Sequence, residues 1–273
     1  MNKTVNELQD QFRQLRLSET AEELPQLLRE AEKASWTYLE FLESITRYEL
    51  TKREAKSLEK RMKWARFPFV KSLDEFELKG QNVLTARQLA QLRELSWLEQ
   101  QYNLILLGPP GIGKTYIAIG LGLEAVYSGF NVYFATMGEL VQLLKTEEYL
   151  NKSKVQLKRI RSADLVIIDD LMYMAMDQRE ANLFFHLINH LYERSSIILT
   201  SNKSPDEWGN LIGDQGITTA ILDRLLHRVE VIHGGEDEES HRMKNRKRMG
   251  KNNVIDLSGL QKPVTDDEQN LFR

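Results

Sequence analysis

The chain has 273 residues, a formal net charge of -3, 41% hydrophobic and 28% charged residues, and no cysteine. That composition fills one large domain plus a small one and excludes disorder over most of the length. Without cysteine, disulfides and thiolate zinc sites are ruled out. No apolar run approaches a membrane span, and Met1–Asp10 lacks the apolar core of a signal peptide, so a soluble, cytoplasmic protein with no membrane partner is expected.

The first third of the chain reads as helix. Up to about residue 66 there is a single proline, Pro25, and no glycine. Apolar residues recur at helical spacing: Leu8, Phe12 and Leu15; Leu24, Leu27, Leu28 and Ala31; Trp36, Leu39, Leu42 and Ile45. Thr20 with Glu23 suggests a capping box for the second helix. A third, long helix is predicted from Ser35 to Arg66, ended by Pro68. A small all-helical domain over residues 1–67 follows from this pattern.

Beyond residue 80 the texture changes to short β-branched or aromatic runs separated by helical stretches. Leu104–Leu107, Asn131–Thr136, Leu165–Ile168 and Ile197–Thr200 read as strands, with Val229–Ile232 as a candidate fifth. A helix is predicted from Gly113 to about Ser128. Alternation of this kind implies an α/β domain, a parallel sheet flanked by helices, over residues 68–248. Residues 249–273 are polar and read as a flexible tail.

Gly108-Pro109-Pro110-Gly111-Ile112-Gly113-Lys114-Thr115 matches the phosphate-binding P-loop and lies between a predicted strand and helix. Its glycines let backbone N–H groups converge on phosphate oxygens at a helix N-terminus. Lys114 is the residue to reach the β- and γ-phosphates, and the Thr115 hydroxyl is a Mg²⁺ ligand. The expected cofactors are therefore ATP and Mg²⁺. Leu165-Val166-Ile167-Ile168-Asp169-Asp170 supplies the complementary acidic strand end. Asp169 is placed beside the metal, and Asp170 where an attacking water is oriented or deprotonated. After Ile197-Ile198-Leu199-Thr200-Ser201, Asn202 is the first candidate to bond that water or the γ-phosphate, with Thr200 second. Asn202-Lys203-Ser204-Pro205 lacks the aspartate of a guanine-reading motif, which disfavours GTP. His186 and His190 share a helix face but have no accompanying glutamate pair, so packing outweighs metal binding.

These motifs in this order, with Ile221-Leu222-Asp223-Arg224-Leu225-Leu226-His227, resemble the IstB-type transposition helper ATPases, AAA+ proteins related to DnaC-type helicase loaders. Arg66-Phe67-Pro68, Lys71-Ser72-Leu73-Asp74-Glu75-Phe76 and Arg179-Glu180-Ala181-Asn182-Leu183-Phe184-Phe185 extend the likeness. The resemblance implies a helical N-terminal domain and an AAA+ core with five strands and a reduced lid. It implies ATP-driven homo-oligomerisation on double-stranded DNA, with ATP sites at subunit interfaces, then recruitment of a transposase and hydrolysis. Arg224 matches the arginine finger that enters a neighbour's ATP site, with Arg228 as the competing residue. Arg242 lies where loaders keep a second-sensor arginine. A replicative helicase loader is the alternative function.

Two basic clusters are candidate DNA surfaces. The end of the long helix carries Lys56, Lys60, Arg61 and Lys63, with Trp64 and Phe67 interleaved; Lys152, Lys154, Lys158 and Arg159 precede the acidic strand. Either could neutralise phosphates with little sequence preference. A third cluster spans Arg242, Lys244, Arg246, Lys247 and Arg248.

Overall fold

A computed structural model describes residues 2–75, 84–171, 176–205, 207–208 and 215–234, all within one compact unit, Met1–Gly234. Arg242, the third basic cluster and the expected tail lie outside the described residues.

Three helices lead the chain: α1 (Asn2–Gln14), α2 (Ser18–Ala34) and α3 (Tyr38–Ala65). α2 buries Ala21, Leu24 and Leu27 against its neighbours. It also accommodates Pro25 in its interior, where proline removes the hydrogen bond to the carbonyl four residues back. That carbonyl belongs to Ala21, and Gln9 Nε2 of α1 donates to it at 2.6 Å. A side chain from the adjacent helix thus replaces the missing backbone donor.

Thr20 is not a cap, contrary to the capping box expected with Glu23. It sits inside α2, fully buried, and both its backbone N (2.8 Å) and its Oγ1 (2.9 Å) donate to Glu49 Oε2 of α3. Its hydroxyl satisfies a carboxylate across the hairpin instead of an orphan N–H of its own helix. The capping box occurs one helix later, where Thr37 Oγ1 accepts from Glu40 N and Glu40 reaches back to Thr37 N. Ser35 and Arg66, the predicted ends of the long helix, are both left-handed terminators, one closing α2 and the other α3. On α3 the apolar spacing marks helix but not core. Ile45 is buried, while Leu39 and Leu42 are exposed.

The C-terminal end of α3 packs on the α/β layer, against β2 (Val132–Thr136) and α6 (Lys114–Tyr127). The next ten residues strap across α6, which carries two glycines where they pass. A Cβ on Gly122 would lie 3.1 Å from the Phe67 ring, and one on Gly120 would lie 2.4 Å from Leu73 Cδ2. Tyr116 Oη donates to the Ser72 carbonyl at 2.8 Å. The stretch containing Phe67 and Leu73 thus has a packing role: its large apolar residues fill notches left by small ones.

A 3-10 turn (Leu73–Glu75), α4 (Ala86–Arg93) and α5 (Ser96–Glu99) precede β1 (Asn103–Leu107) and α6 (Lys114–Tyr127). Then come β2 (Val132–Thr136), α7 (Met137–Thr146), α8 (Asn151–Arg161), β3 (Leu165–Asp169) and α9 (Gln178–Leu191). The order closes with β4 (Ser196–Ser201), α10 (Gln215–Leu226) and β5 (Val229–His233).

All four strand pairings are parallel, in the order β2-β3-β4-β1-β5. Successive residues of each strand enter two different cores, as the pleat requires. Leu104, Leu106, Phe134 and Ile167 pack with α6 and the end of α3, whereas Ile105, Leu107, Ile168 and Leu199 pack with residues of α7 to α10. Burial on both faces explains why the central strands read as unbroken apolar runs.

Candidate functional site

Parallel pairing brings the C-terminal ends of the strands to one edge. Leu107 is in register with Ser201, and Thr136 with Asp169. The loop from Gly108 to Gly113 rises from β1 at that edge and runs into α6. Gly108 has φ +143°, and a Cβ there would lie 2.5 Å from the Gly234 carbonyl oxygen and 2.5 Å from Ile112 Cδ1. Any side chain would push the loop off the neighbouring strand end. Gly113 caps α6 with φ +97°, a conformation that glycine adopts without strain.

Lys114 is 7% exposed, and its Nζ donates to the carbonyls of Gly108 (2.7 Å) and Pro109 (2.9 Å). Burial holds this ammonium below the ordinary lysine pKa, while the carboxylates of Asp170 and Asp169 pull it back up. A cation taken from water and ringed by carbonyls at a helix N-terminus is matched to phosphate oxygens.

Asp169 ends β3 at 6% exposure. Its Oδ1 accepts from Thr115 Oγ1 of α6 at 2.8 Å and from Thr200 Oγ1 of β4 at 2.6 Å. Burial raises its pKa, the Thr200 and Thr115 bonds lower it, and the charge of Asp170 raises it further. The Thr115 hydroxyl and the Asp169 carboxylate form a pair of hard oxygen donors fit for a divalent cation shared with phosphates.

Asp170 is exposed and left-handed, at φ +55°. Its N–H donates to Thr200 Oγ1 at 3.0 Å, and the Leu171 N–H donates to the Thr200 carbonyl at 2.9 Å. Non-glycine residues in this region are uncommon, aspartate being one that tolerates it, and they concentrate at functional sites. The Asp170 carboxylate is exposed at this turn, and its charge acts on Lys114 of the loop.

The structure therefore brings Gly108–Thr115, Asp169, Asp170 and Thr200 together. Thr200, second to Asn202 on sequence grounds, is the β4 residue joined to the acidic pair. Asn202 is exposed and makes no side-chain hydrogen bond among the described residues. Position along the strand favours Thr200: it lies inside β4 beside Asp169, whereas Asn202 lies beyond the strand's end at Ser201.

Arg224 lies at the opposite end of the sheet. Leu225, the next residue, accepts at its carbonyl from Asn103 Nδ2 at 3.0 Å, and Asn103 begins β1. A strand of this length spans roughly 15 Å, so Arg224 is a strand away from its own P-loop. Arg228 is exposed.

The basic clusters are less separate than their sequence positions suggest. Lys60 Nζ of α3 and Arg159 Cζ of α8 lie 4.9 Å and 5.0 Å from the centroid of the same ring, Trp64. Lys152, Lys154 and Lys158 are exposed along α8. Other members are engaged within the chain: Lys56 with Glu19, Lys63 with Glu59 at 2.6 Å, and Arg61 with Ser57 and the Val126 carbonyl. Sequence reading missed Gln156, buried on α8, whose Oε1 accepts from Arg66 and from Tyr133 Oη at 2.9 Å. It ties the end of α3 to β2 and α8. Among the described residues no helix is long and apolar enough to cross a membrane, and no cluster of three or more His, Cys, Asp and Glu side chains occurs.

Comparison with known proteins fits this geometry. The chain is 37% identical over 264 residues to a Pseudomonas aeruginosa protein whose name ties it to insertion sequence IS21 and, provisionally, to ATP binding. The alignment covers 97% of each chain. A Bacteroides fragilis protein, similarly named as IS21-like, is 40% identical over 257 residues, covering 94% of this chain and 97% of its own. The crystal structure of DnaI superposes with a TM-score of 0.53 at 17% identity, covering 64% of this chain and 94% of that one, a likeness of fold. Residues 10–249 match the profile of one family. With its P-loop, acidic strand end and parallel five-stranded sheet, the chain belongs to the family of IstB-like ATP binding proteins and has the AAA+ fold.

Proposed function

We propose that the protein is an ATPase that assembles on duplex DNA when ATP and Mg²⁺ are bound and recruits a transposase for insertion-sequence transposition. The observation that carries the reading is the convergence of Thr115 and Thr200 on Asp169 Oδ1, below a loop that holds a buried lysine. Three separated segments meet to form one phosphate-and-metal site, in a chain whose relatives are named for insertion sequences.

The chain's own groups have distinct tasks in this reading. Lys114 and the loop amides hold the triphosphate, and Thr115 with Asp169 would hold Mg²⁺, which when bound neutralises phosphate charge. Asp170 orients or accepts a proton from the attacking water. Thr200 fixes the Asp169 carboxylate and the Asp170 backbone relative to each other. Arg224, too far from its own loop, acts on a neighbour's nucleotide, which couples hydrolysis to assembly. Lys60, Arg159 and the exposed lysines of α8 face the DNA phosphates.

Electron microscopy and calorimetry test this directly. Wild-type protein with ATP, Mg²⁺ and duplex DNA is expected to form DNA-bound oligomers, and Lys114→Ala to lose both nucleotide uptake and assembly. Equal assembly by the variant would end the idea of nucleotide control. Pull-down against the transposase of the same element and against a replicative helicase identifies the partner; retention of the helicase alone would transfer the role to helicase loading.

A further inference from the structure

Arg224 is held from three directions. Its Nε donates to Asn189 Oδ1 at 2.9 Å, its Nη1 donates to the Ala220 carbonyl at 2.8 Å, and its Cζ lies 4.9 Å from the centroid of the Phe185 ring. Phe185 and Asn189 are four residues apart on α9, hence on one face, and that face meets α10. Two of the five guanidinium N–H donors are engaged on the side nearest the protein. Neither N–H of Nη2 has a partner among the described residues. Arg228, one turn later, has no side-chain contact of this kind among the described residues.

We propose that Phe185 and Asn189 form a cradle that pre-sets Nη2 of Arg224 for the phosphoryl oxygens of a nucleotide bound by a second copy of this chain. Phe185 and Asn189 are positioning residues, and the inference rests on the trans-acting reading of Arg224. A long side chain free in solvent surrenders its rotamer freedom when it meets the phosphates. One already stacked and bonded surrendered that freedom on folding. Preorganised charge needs no rearrangement as the reaction proceeds. The acceptor chosen matters too: a neutral amide orients the guanidinium without cancelling its charge, which a carboxylate at the same place would do. The half-buried Phe185 ring supplies a π face of the kind that guanidinium groups stack on. The same contacts single out Arg224 over Arg228.

The test uses full-length chains assembled on duplex DNA with ATP. Asn189→Ala and Phe185→Leu are expected to lower kcat about tenfold each while KM and ATP affinity of the free chain stay unchanged. Asn189→Asp is expected to keep thermal stability and still turn over slowly. Asn189→Ala chains are then mixed with Asp170→Asn chains, which are expected to bind ATP without hydrolysing it but carry an intact cradle. Turnover per Asn189→Ala subunit should rise toward wild type, because its neighbours now present a well-held arginine. Asn189 is exposed, so folding of its variants is not at risk, and Phe185→Leu gives an independent reading. Wild-type kcat in both single variants, or a loss that mixing does not relieve, would overturn the cradle. Arg224→Ala in the same mixtures separates the two ideas. If it is relieved by mixing while Asn189→Ala is wild type, the cradle alone fails. If it is wild type or cannot be relieved, the trans-acting arginine fails and the cradle with it.

Discussion

At Thr200 one hydroxyl serves two aspartates, donating to Asp169 and accepting from the Asp170 backbone. Replacing it by valine keeps shape and burial but removes both bonds. A buried carboxylate then loses a donor and a peptide N–H loses its acceptor, at a cost of about 1–3 kcal/mol. Thr200→Val is expected to leave ATP affinity nearly intact, since the loop and Lys114 are untouched, and to slow turnover at least tenfold. Calorimetric binding alongside phosphate release checks this; unchanged turnover would return Asn202 to first place. The glycines, lysine and threonine of the P-loop were legible as a string because their spacing is local. The partner of Asp169 on β4 was not, because it depends on how far along a distant strand the acidic end of β3 comes to lie.

Among the elements, the helical hairpin shows a buried carboxylate used as a fastener. Burial alone would raise the Glu49 pKa, but the bonds from Thr20 N–H, Thr20 Oγ1 and Arg53 outweigh it and leave the group below its ordinary value. A carboxyl whose folded pKa is depressed contributes its stability in full above the unfolded value, about 4.3, and loses it as pH falls toward the folded value. The α2–α3 pairing is therefore expected to weaken in acid from about pH 5 downward. Hydrogen exchange of the α2 and α3 amides across that range reads the effect. Glu49→Gln, which keeps an acceptor but does not titrate there, should flatten the pH dependence; an unaltered slope would show that another group is responsible. The same hairpin explains the misread capping box. Thr20 and Glu23 have the right spacing, yet Glu49, twenty-nine residues on, competes for the threonine and wins by burial.

For the molecule as a whole, folding merges what the chain keeps apart. Lys60 and Arg159 are about a hundred positions apart and converge on Trp64, so α3 and α8 present one basic surface. Each neutralisation, Lys60→Ala or Arg159→Ala, is expected to weaken duplex binding and to lower the slope of log affinity against log salt by roughly one phosphate contact. Titrations at several salt concentrations decide it. Loss of affinity from one substitution only would split the surface back into two. Lys63 and Lys56, already paired with Glu59 and Glu19, should matter less.

The amino-acid sequence by itself determined the elements, the parallel α/β class and the phosphate loop. The elements and the loop rest on periodicity or spacing that local backbone sterics enforce wherever the segment lies, and the class rests on the order in which those elements alternate. Only the tertiary structure decided that Thr200 meets Asp169, that Gln9 takes the carbonyl freed by Pro25, and that Phe185 and Asn189 hold Arg224. The approach of the segments is set by burial of two cores on one sheet for the first and last pairings, and by the packing of α1 on α2 for the second. Hydrophobic burial is non-directional, so no local pattern announces which polar groups it will bring within bonding distance.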